Sequence, residues 1–199
     1  MPKIIGATLA EHRTATRKLL CDALARLMQE RGFDSLTLAD IAAEAGIGRT
    51  AVYNHFPDKE SVLVAFINDE TAGFLDSLVA ELRGVDDPID RLRLYIHRQL
   101  QLSEFFHFAP GPSLRQIVSP NTWEDLRNHG MAMDSFLREI LLSAMDTGAI
   151  AQQDTNVAAR IIHSVLTGRP APSLEPGRSE FIRATEEFVL RGLGATPAN

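Results

Sequence analysis

The polar side chains best suited to recognise a ligand lie in a short stretch between two helix-breaking signals, Gly46 and Pro57. A helix over residues 48–56 would turn Val52 and Phe56, which are four residues apart, toward the interior. The polar residues of the stretch are then expected to face outward: Arg49, Thr50, Tyr53 and Asn54. Guanidinium, hydroxyl and amide groups can hydrogen-bond to base edges in the major groove of DNA. The stretch therefore indicates nucleic-acid recognition.

A short helix is predicted directly before this stretch. Thr37 and Asp40 match a capping box in which Asp replaces the usual Glu or Gln, and Gly46 ends the helix nine residues after the cap. Two short helices joined by a turn that contains glycine are typical of a helix-turn-helix. The same spacing also fits an ordinary αα-hairpin, so the pattern alone leaves both readings open.

The rest of the chain also predicts helices. Apolar residues recur on one face from about Thr14 to Arg31, where Gly32 ends the helix, and Asp58 can cap a long helix that reaches Gly84. Further helices are predicted at about 89–106, briefly after Pro112, and at 121–145, 155–166 and 179–193. The expected fold class is all-α.

The charge distribution and the cysteine content indicate which part of the chain could contact DNA and which cellular compartment it suits. Residues 1–59 hold eight basic and seven acidic side chains, whereas residues 60–199 hold twelve and nineteen, so the acid is segregated away from the candidate DNA-binding stretch. The single Cys21 cannot form an internal disulfide, which favours a reducing cytoplasm. We expect neither a signal peptide nor a membrane span, because the longest later apolar run covers only residues 62–67.

Three segments together resemble the TetR family of transcriptional regulators. They are residues 36–42 (LTLADIA), 45–47 (AGI) and 52–60 (VYNHFPDKE), and the resemblance covers roughly residues 13–66. It implies a three-helix DNA-binding domain, here residues 1–57, and a larger helical domain for effector binding and dimerisation, here residues 58–199. It also implies a homodimer that binds a palindromic operator in double-stranded DNA, usually a repressor released by a small ligand.

The resemblance also assigns roles to single residues. Thr37 resembles a cap that contacts phosphate, Tyr53 and His55 a pair that touches the DNA backbone, and Lys59 a lysine that contacts phosphate with help from the positive end of its helix. Base reading would fall to Arg49, Thr50, Ala51 and Asn54. Two positions depart from the commonest family pattern, which has Ser at Gly48 and Gly at Thr50, so the base code is open.

The larger helical region offers candidates for two further sites. Apolar pocket walls for an apolar or aromatic effector would come from Phe105, Phe106, Phe108, Trp123, Met131, Met133, Phe136 and Met145, with a polar group from His97, His107 or His129. These residues could equally fill the core. By resemblance, the last two helices would pair with those of a second copy through Ile161, Ile162, Val165, Phe181, Phe188 and Val189.

Two other classes of function compete with a regulator. An enzyme could use His97, His107, His129 and His163, but the sequence has no paired metal-ligand spacing, no glycine-rich phosphate loop and no nucleophile elbow. We therefore expect no enzyme activity, no cofactor and no metal. The second alternative is a helical ligand-binding or protein-binding module without specific DNA binding.

Overall fold

The computed structural model describes residues 8–106, 118–167, 172 and 174–195, and it leaves the side chains of 102–106, 127–132 and 167 aside. Within these ranges the chain forms α-helices and one 3-10 helix without any strand, which confirms the all-α prediction. The α-helices are α1 Leu9–Arg31, α2 Leu38–Glu44, α3 Lys59–Leu82, α4 Pro88–Phe106, α5 Pro120–Asp146, α6 Thr155–Thr167 and α7 Gly177–Gly192, and the 3-10 helix covers Ala51–Asn54. The short helix predicted after Pro112 lies outside the described residues.

Helix α1 begins five residues earlier than predicted. Thr8 caps it through a full capping box, in which the Glu11 amide donates to the Thr8 hydroxyl over 3.2 Å and the Thr8 amide donates to the Glu11 carboxylate over 3.1 Å. The prediction followed apolar periodicity, which starts only further along, whereas the capping pair fixes the first turn without an apolar face. The helix ends at Gly32, as predicted, with a φ of 71°.

Helix α2 forms as predicted. Thr37 is its N-cap and exchanges backbone and side-chain hydrogen bonds with Asp40. After the helix, Gly46 takes a φ of 68°, which lets the Ile47 amide donate back to the Ala42 carbonyl over 2.8 Å. This turn fixes the direction in which the next segment leaves.

The helix predicted over 48–56 is only partly present, because its regular portion is the single 3-10 turn Ala51–Asn54. The Gly48 carbonyl accepts hydrogen bonds from the amides of Ala51 and Val52, but no side chain caps the turn. A glycine supplies no capping oxygen and costs backbone entropy, which accounts for the short and tight turn. We call residues 48–56 the recognition segment.

The helices form two compact units. Unit 1 comprises the described residues within 1–72 and 108–129, and unit 2 those within 73–107 and 130–195. Unit 1 thus extends past the predicted boundary at residue 57, so the functional division into 1–57 and 58–199 stays a prediction. The described helices include none that is long and apolar enough to cross a bilayer.

Each unit has its own buried core. In unit 1, α1, α2 and the recognition segment bury fully the side chains of Leu20, Leu24, Ile41, Val52 and Phe56. In unit 2, α4 to α7 surround Tyr95, Ile96, Leu137, Ile140 and Leu166. Burial of these side chains holds the short α2 in place, since a helix of seven residues is not stable alone.

Two glycines in this region should respond oppositely to the same substitution. A Cβ at Gly48 would meet no atom within 4 Å, and the residue does not have a positive φ, whereas Gly46 does. We expect Gly48→Ser to raise the free energy of unfolding by about 0.5–1 kcal/mol, through a new cap and a less flexible unfolded chain. Gly46→Ser should lower it by about 1–2 kcal/mol. Urea unfolding measures both, and equal effects would contradict the assignment of the two turns.

Candidate nucleic-acid interface

The recognition segment presents its polar side chains to solvent. Arg49, Thr50, Ala51, Tyr53 and Asn54 are all exposed, with 57% of the Tyr53 surface accessible. Val52 between them is fully buried and anchors the turn in the core of unit 1. The structure therefore brings the predicted base-reading residues and Tyr53 together on one exposed segment. Their individual roles in binding DNA stay predictions.

Arg17 of α1 fixes the far end of the recognition segment. Its Nη1 donates to the carbonyl oxygen of His55 over 3.0 Å, and its guanidinium lies 4.2 Å above the centre of the Phe56 ring. A cation over an aromatic face and a charged hydrogen bond are both stabilising at a partly buried site. The sequence pattern did not predict this contact, because nothing local connects Arg17 to a residue 38 positions later.

His55 lies half-buried behind this contact. Burial lowers the pKa of its imidazole, and the nearby charges of Arg13, Arg17 and His12 lower it further. Its Nδ1 is buried and has no hydrogen-bond partner among the described residues. A buried N–H without an acceptor is costly, so we place the proton of the neutral ring on Nε2. In that form His55 can donate one hydrogen bond but carries no charge.

Thr37 is exposed at the start of α2, and its hydroxyl already has a partner. The hydroxyl donates to the Asp40 carboxylate over 2.6 Å, and this bond, together with that from the Thr37 amide, holds the pKa of Asp40 below its usual value. A phosphate oxygen needs a donor, so Thr37 would have to exchange this partner to make the predicted contact. That contact stays a prediction.

Lys59, the first residue of α3, has a role that the sequence did not predict. Its ammonium donates to three backbone carbonyls of the loop between α1 and α2: Phe33 and Asp34, each over 3.1 Å, and Leu36 over 2.8 Å. It also lies 4.7 Å from the centre of the Phe33 ring. An ammonium has three hydrogens, and all three are used here. Lys59 thus fastens the loop that leads into α2, and the predicted phosphate contact would require one of these bonds to be given up.

The next residue fastens a different segment of unit 1. The Glu60 carboxylate accepts from the Thr122 hydroxyl over 2.6 Å and from the Ser119 amide over 3.0 Å. Burial alone would raise the pKa of Glu60, but these hydrogen bonds lower it overall. Lys59 and Glu60 together form what we call the clip, which ties the start of α3 to the loop before α2 and to the start of α5.

The predicted effector residues are only partly placed. Met133 and Met145 are buried and Phe136 half-buried in unit 2, whereas Trp123 is half-buried in unit 1. The others lie outside the described side chains: Phe105, Phe106, Phe108, Met131, His107 and His129. His97 is exposed and bonded to Gln101, so the expectation that it supplies a polar group inside a pocket is wrong.

The predicted dimer residues fall into two groups. Ile161 and Phe188 are 59% and 64% exposed. Ile162 and Val189 are only 3% and 4% exposed, because they face the core of their own chain, and their predicted place in an interface is therefore wrong. Val165 and Phe181 are half-buried against the same core. Val157, another apolar residue of the helix predicted to pair with a second copy, is 53% exposed one turn before Ile161.

A capped helix, a glycine turn and a short anchored segment of exposed polar residues define a helix-turn-helix protein that binds DNA as a transcriptional regulator. Known proteins agree with this class. The profile of the bacterial regulatory proteins of the tetR family matches residues 20–66. The match covers α2, the recognition segment and parts of α1 and α3.

Similar proteins cover most of the chain. The HTH-type transcriptional regulator BetI of Rhizobium meliloti is 28% identical over 182 residues, with 90% of each chain covered. The nucleoid occlusion factor SlmA of Shewanella amazonensis is 26% identical over 193 residues, which cover 90% of this chain and 92% of SlmA. The solved structure of the regulator FadR from Bacillus subtilis in complex with stearoyl-CoA shares the fold, with a TM-score of 0.72 at 18% identity over 89% of this chain and 97% of FadR.

Removing the Lys59 ammonium should destabilise unit 1. Lys59→Met keeps the aliphatic part of the side chain but removes the ammonium from three carbonyls, of which that of Phe33 retains the Leu36 amide, so we expect the free energy of unfolding to fall by about 1–3 kcal/mol. Lys18→Met is the control, since Lys18 is exposed and forms only an ion pair with Asp22. Urea unfolding measures both. An unchanged stability for Lys59→Met would show that Lys59 does not fasten the loop.

The lowered pKa of His55 predicts a pH dependence of stability. Because the folded state disfavours the proton, the unfolded chain protonates first as the pH falls below the ordinary value of 6.5. The contribution of neutral His55 to stability is therefore complete above that pH and is lost progressively below it. The stability difference between wild type and His55→Gln should shift against the wild type between about pH 8 and pH 5.5 in urea unfolding. A difference that stays constant over this range would contradict the assignment.

Proposed function

We propose that this regulator is a repressor that binds a palindromic operator as a homodimer in the cytoplasm and is released by a small molecule. Residues 1–57 would bind DNA, and residues 58–199 would dimerise and bind the effector. The observation that carries the proposal is the recognition segment. Its polar residues are exposed, while the buried side chain of Val52 and the hydrogen bond from Arg17 to the His55 carbonyl hold the segment in place. Such anchoring reduces the conformational entropy lost on binding DNA.

Within the recognition segment, we propose that Arg49 makes the principal base contact. Its guanidinium is exposed and can pair bidentately with the O6 and N7 atoms of guanine. Thr50 and Ala51 can meet a thymine methyl, and Asn54 can pair with adenine. Tyr53 and His55 would donate hydrogen bonds to the DNA backbone, with Thr37 and Lys59 as further candidates for phosphate contact.

A second copy of the chain would cover the exposed apolar residues of α6 and α7. Val157 and Ile161 stand one turn apart on α6, and Phe188 is the most exposed aromatic ring of α7. Exposed aliphatic and aromatic side chains of this kind are common where two subunits meet. A twofold interface would present two recognition segments to two half-sites, which accounts for a palindromic operator.

Two observations support release by a small molecule. FadR, which shares the fold, binds stearoyl-CoA. In this chain, Thr122 in the first turn of α5 donates to Glu60 of the clip, which ties that turn to the start of α3. The same helix continues to residue 146. We propose that an apolar or aromatic effector acts on the larger helical region, and that α5 and the clip carry its effect to α2.

Arg49→Ala should separate base reading from phosphate contact. We expect a loss of about 5- to 150-fold in affinity for the cognate operator, with relaxed preference at one base pair and little change on scrambled DNA. The operator is first identified by selecting bound fragments from genomic DNA, and affinities are then measured by gel shift at fixed salt. Equal losses on operator and scrambled DNA would refute base reading, and no specific fragment would favour the binding module without DNA recognition.

A charge in the exposed apolar face should disrupt the dimer. Ile161→Glu and Phe188→Glu place a carboxylate where the second copy would exclude water, so we expect sedimentation to shift from dimer to monomer at micromolar protein. Leu142→Glu is the matched control, because Leu142 is 49% exposed on α5 and outside this face. A wild-type monomer, or dimers in all three variants, would overturn the proposed interface.

A further inference from the structure

A chain of hydrogen bonds that the residue pattern did not predict joins three helices of unit 2. The Tyr95 hydroxyl of α4 lies 2.5 Å from Nε2 of His163 on α6, and Nδ1 of His163 bonds to the Asp134 carboxylate of α5. Tyr95 is fully buried, whereas Asp134 keeps about a third of its side chain exposed. The chain of bonds thus runs from the surface into the apolar core.

The direction of these bonds follows from the donors available. A carboxylate only accepts, so His163 donates its Nδ1–H to Asp134, and Nε2 of the neutral ring accepts the Tyr95 proton. Burial and the nearby Asp134 raise the pKa of Tyr95 far above its ordinary range, which keeps that proton on the phenol. The hydrogen of Tyr95 is therefore used, and its oxygen can only accept from any further partner.

Gln99, one turn further along the same face of α4, has a second buried acceptor without a donor. Gln99 is 8% exposed, and its Oε1 has no hydrogen-bond partner among the described residues. Residues four apart on a helix are neighbours, so Gln99 adjoins Tyr95. Buried polar atoms are nearly always paired, and an orphaned acceptor implies a donor that the described residues do not supply.

The surroundings of Tyr95 are aromatic and apolar. The ring of Phe136 stacks on that of Tyr95 with centroids 6.3 Å apart, and Ile96, Leu100 and Met133 belong to the same buried cluster. A partner that suits acceptors on an aromatic wall carries an O–H donor on a flat apolar body. We propose that the Tyr95–Gln99 face of α4 binds a small phenol as effector, with its hydroxyl donating to Gln99 Oε1 and its ring beside Tyr95 and Phe136.

This proposal rests on the proposed binding of an effector by the larger helical region, but it can be tested without DNA. Calorimetric titration of the full chain compares phenol with fluorobenzene, which has similar size and no O–H donor. The expected dissociation constant for phenol is about tenfold lower. Gln99→Met should remove this preference, whereas Gln101→Met should keep it, because Gln101 bonds instead to His97 and Arg98.

The outcomes separate this proposal from that of operator binding. Equal binding of phenol and fluorobenzene by the wild type, or no binding of either, overturns it even if Gln99→Met fails to fold. A preference that survives in Gln99→Met places the phenol elsewhere and also overturns it. Gel shifts of the same proteins without phenol test the proposed function. If Gln99→Met still binds DNA specifically, the role of Gln99 is confined to effector binding. If the wild type binds no DNA, the proposed function fails, but the calorimetric evidence for phenol binding is unaffected.

Discussion

The ammonium of Lys59 among three backbone carbonyls is the interaction on which the arrangement of the DNA-reading part depends. In the loop between α1 and α2 the Leu36 amide donates to the Phe33 carbonyl over 3.2 Å, and the carbonyls of Phe33, Asp34 and Leu36 all take a donor from outside the loop. Lys59 supplies that donor at the point where α3 begins. The position of α2, and with it the angle of the recognition segment, is thus set from the third helix rather than from the loop.

A sequence shows the interactions that are local, and α2 illustrates this. Thr37 and Asp40 are three residues apart, and their reciprocal bonds follow from the types and spacing alone. Lys59 shows the opposite case. Its resemblance to a phosphate-contacting residue gave no information about carbonyls 23 to 26 positions away. The same limit applies to Arg17 and His55, since a contact over 38 positions depends on how the helices pack.

The later helices show the same difference between the bounds of a helix, which the residue pattern predicts, and the contacts of its side chains, which it does not. The residue patterns predicted α6 and α7 to within two residues at either end, but they assigned Ile162 and Val189 to the surface shared with a second copy. An apolar stripe wide enough for two contacts does not show which side faces the chain's own core. Asp134, His163 and Tyr95 were missed because they come from three separate helices, and their common location exists only in the folded chain.

The uncapped 3-10 turn at the recognition segment has a consequence for how such a regulator can change over time. Gly48 lies outside the base-reading side chains, yet its backbone freedom sets part of the entropy that is lost when the segment becomes ordered on DNA. A substitution there would change the affinity by the same factor on every DNA sequence. Occupancy of the operator can therefore evolve through position 48 while the preference among operators, which we propose that Arg49 and its neighbours determine, is left intact.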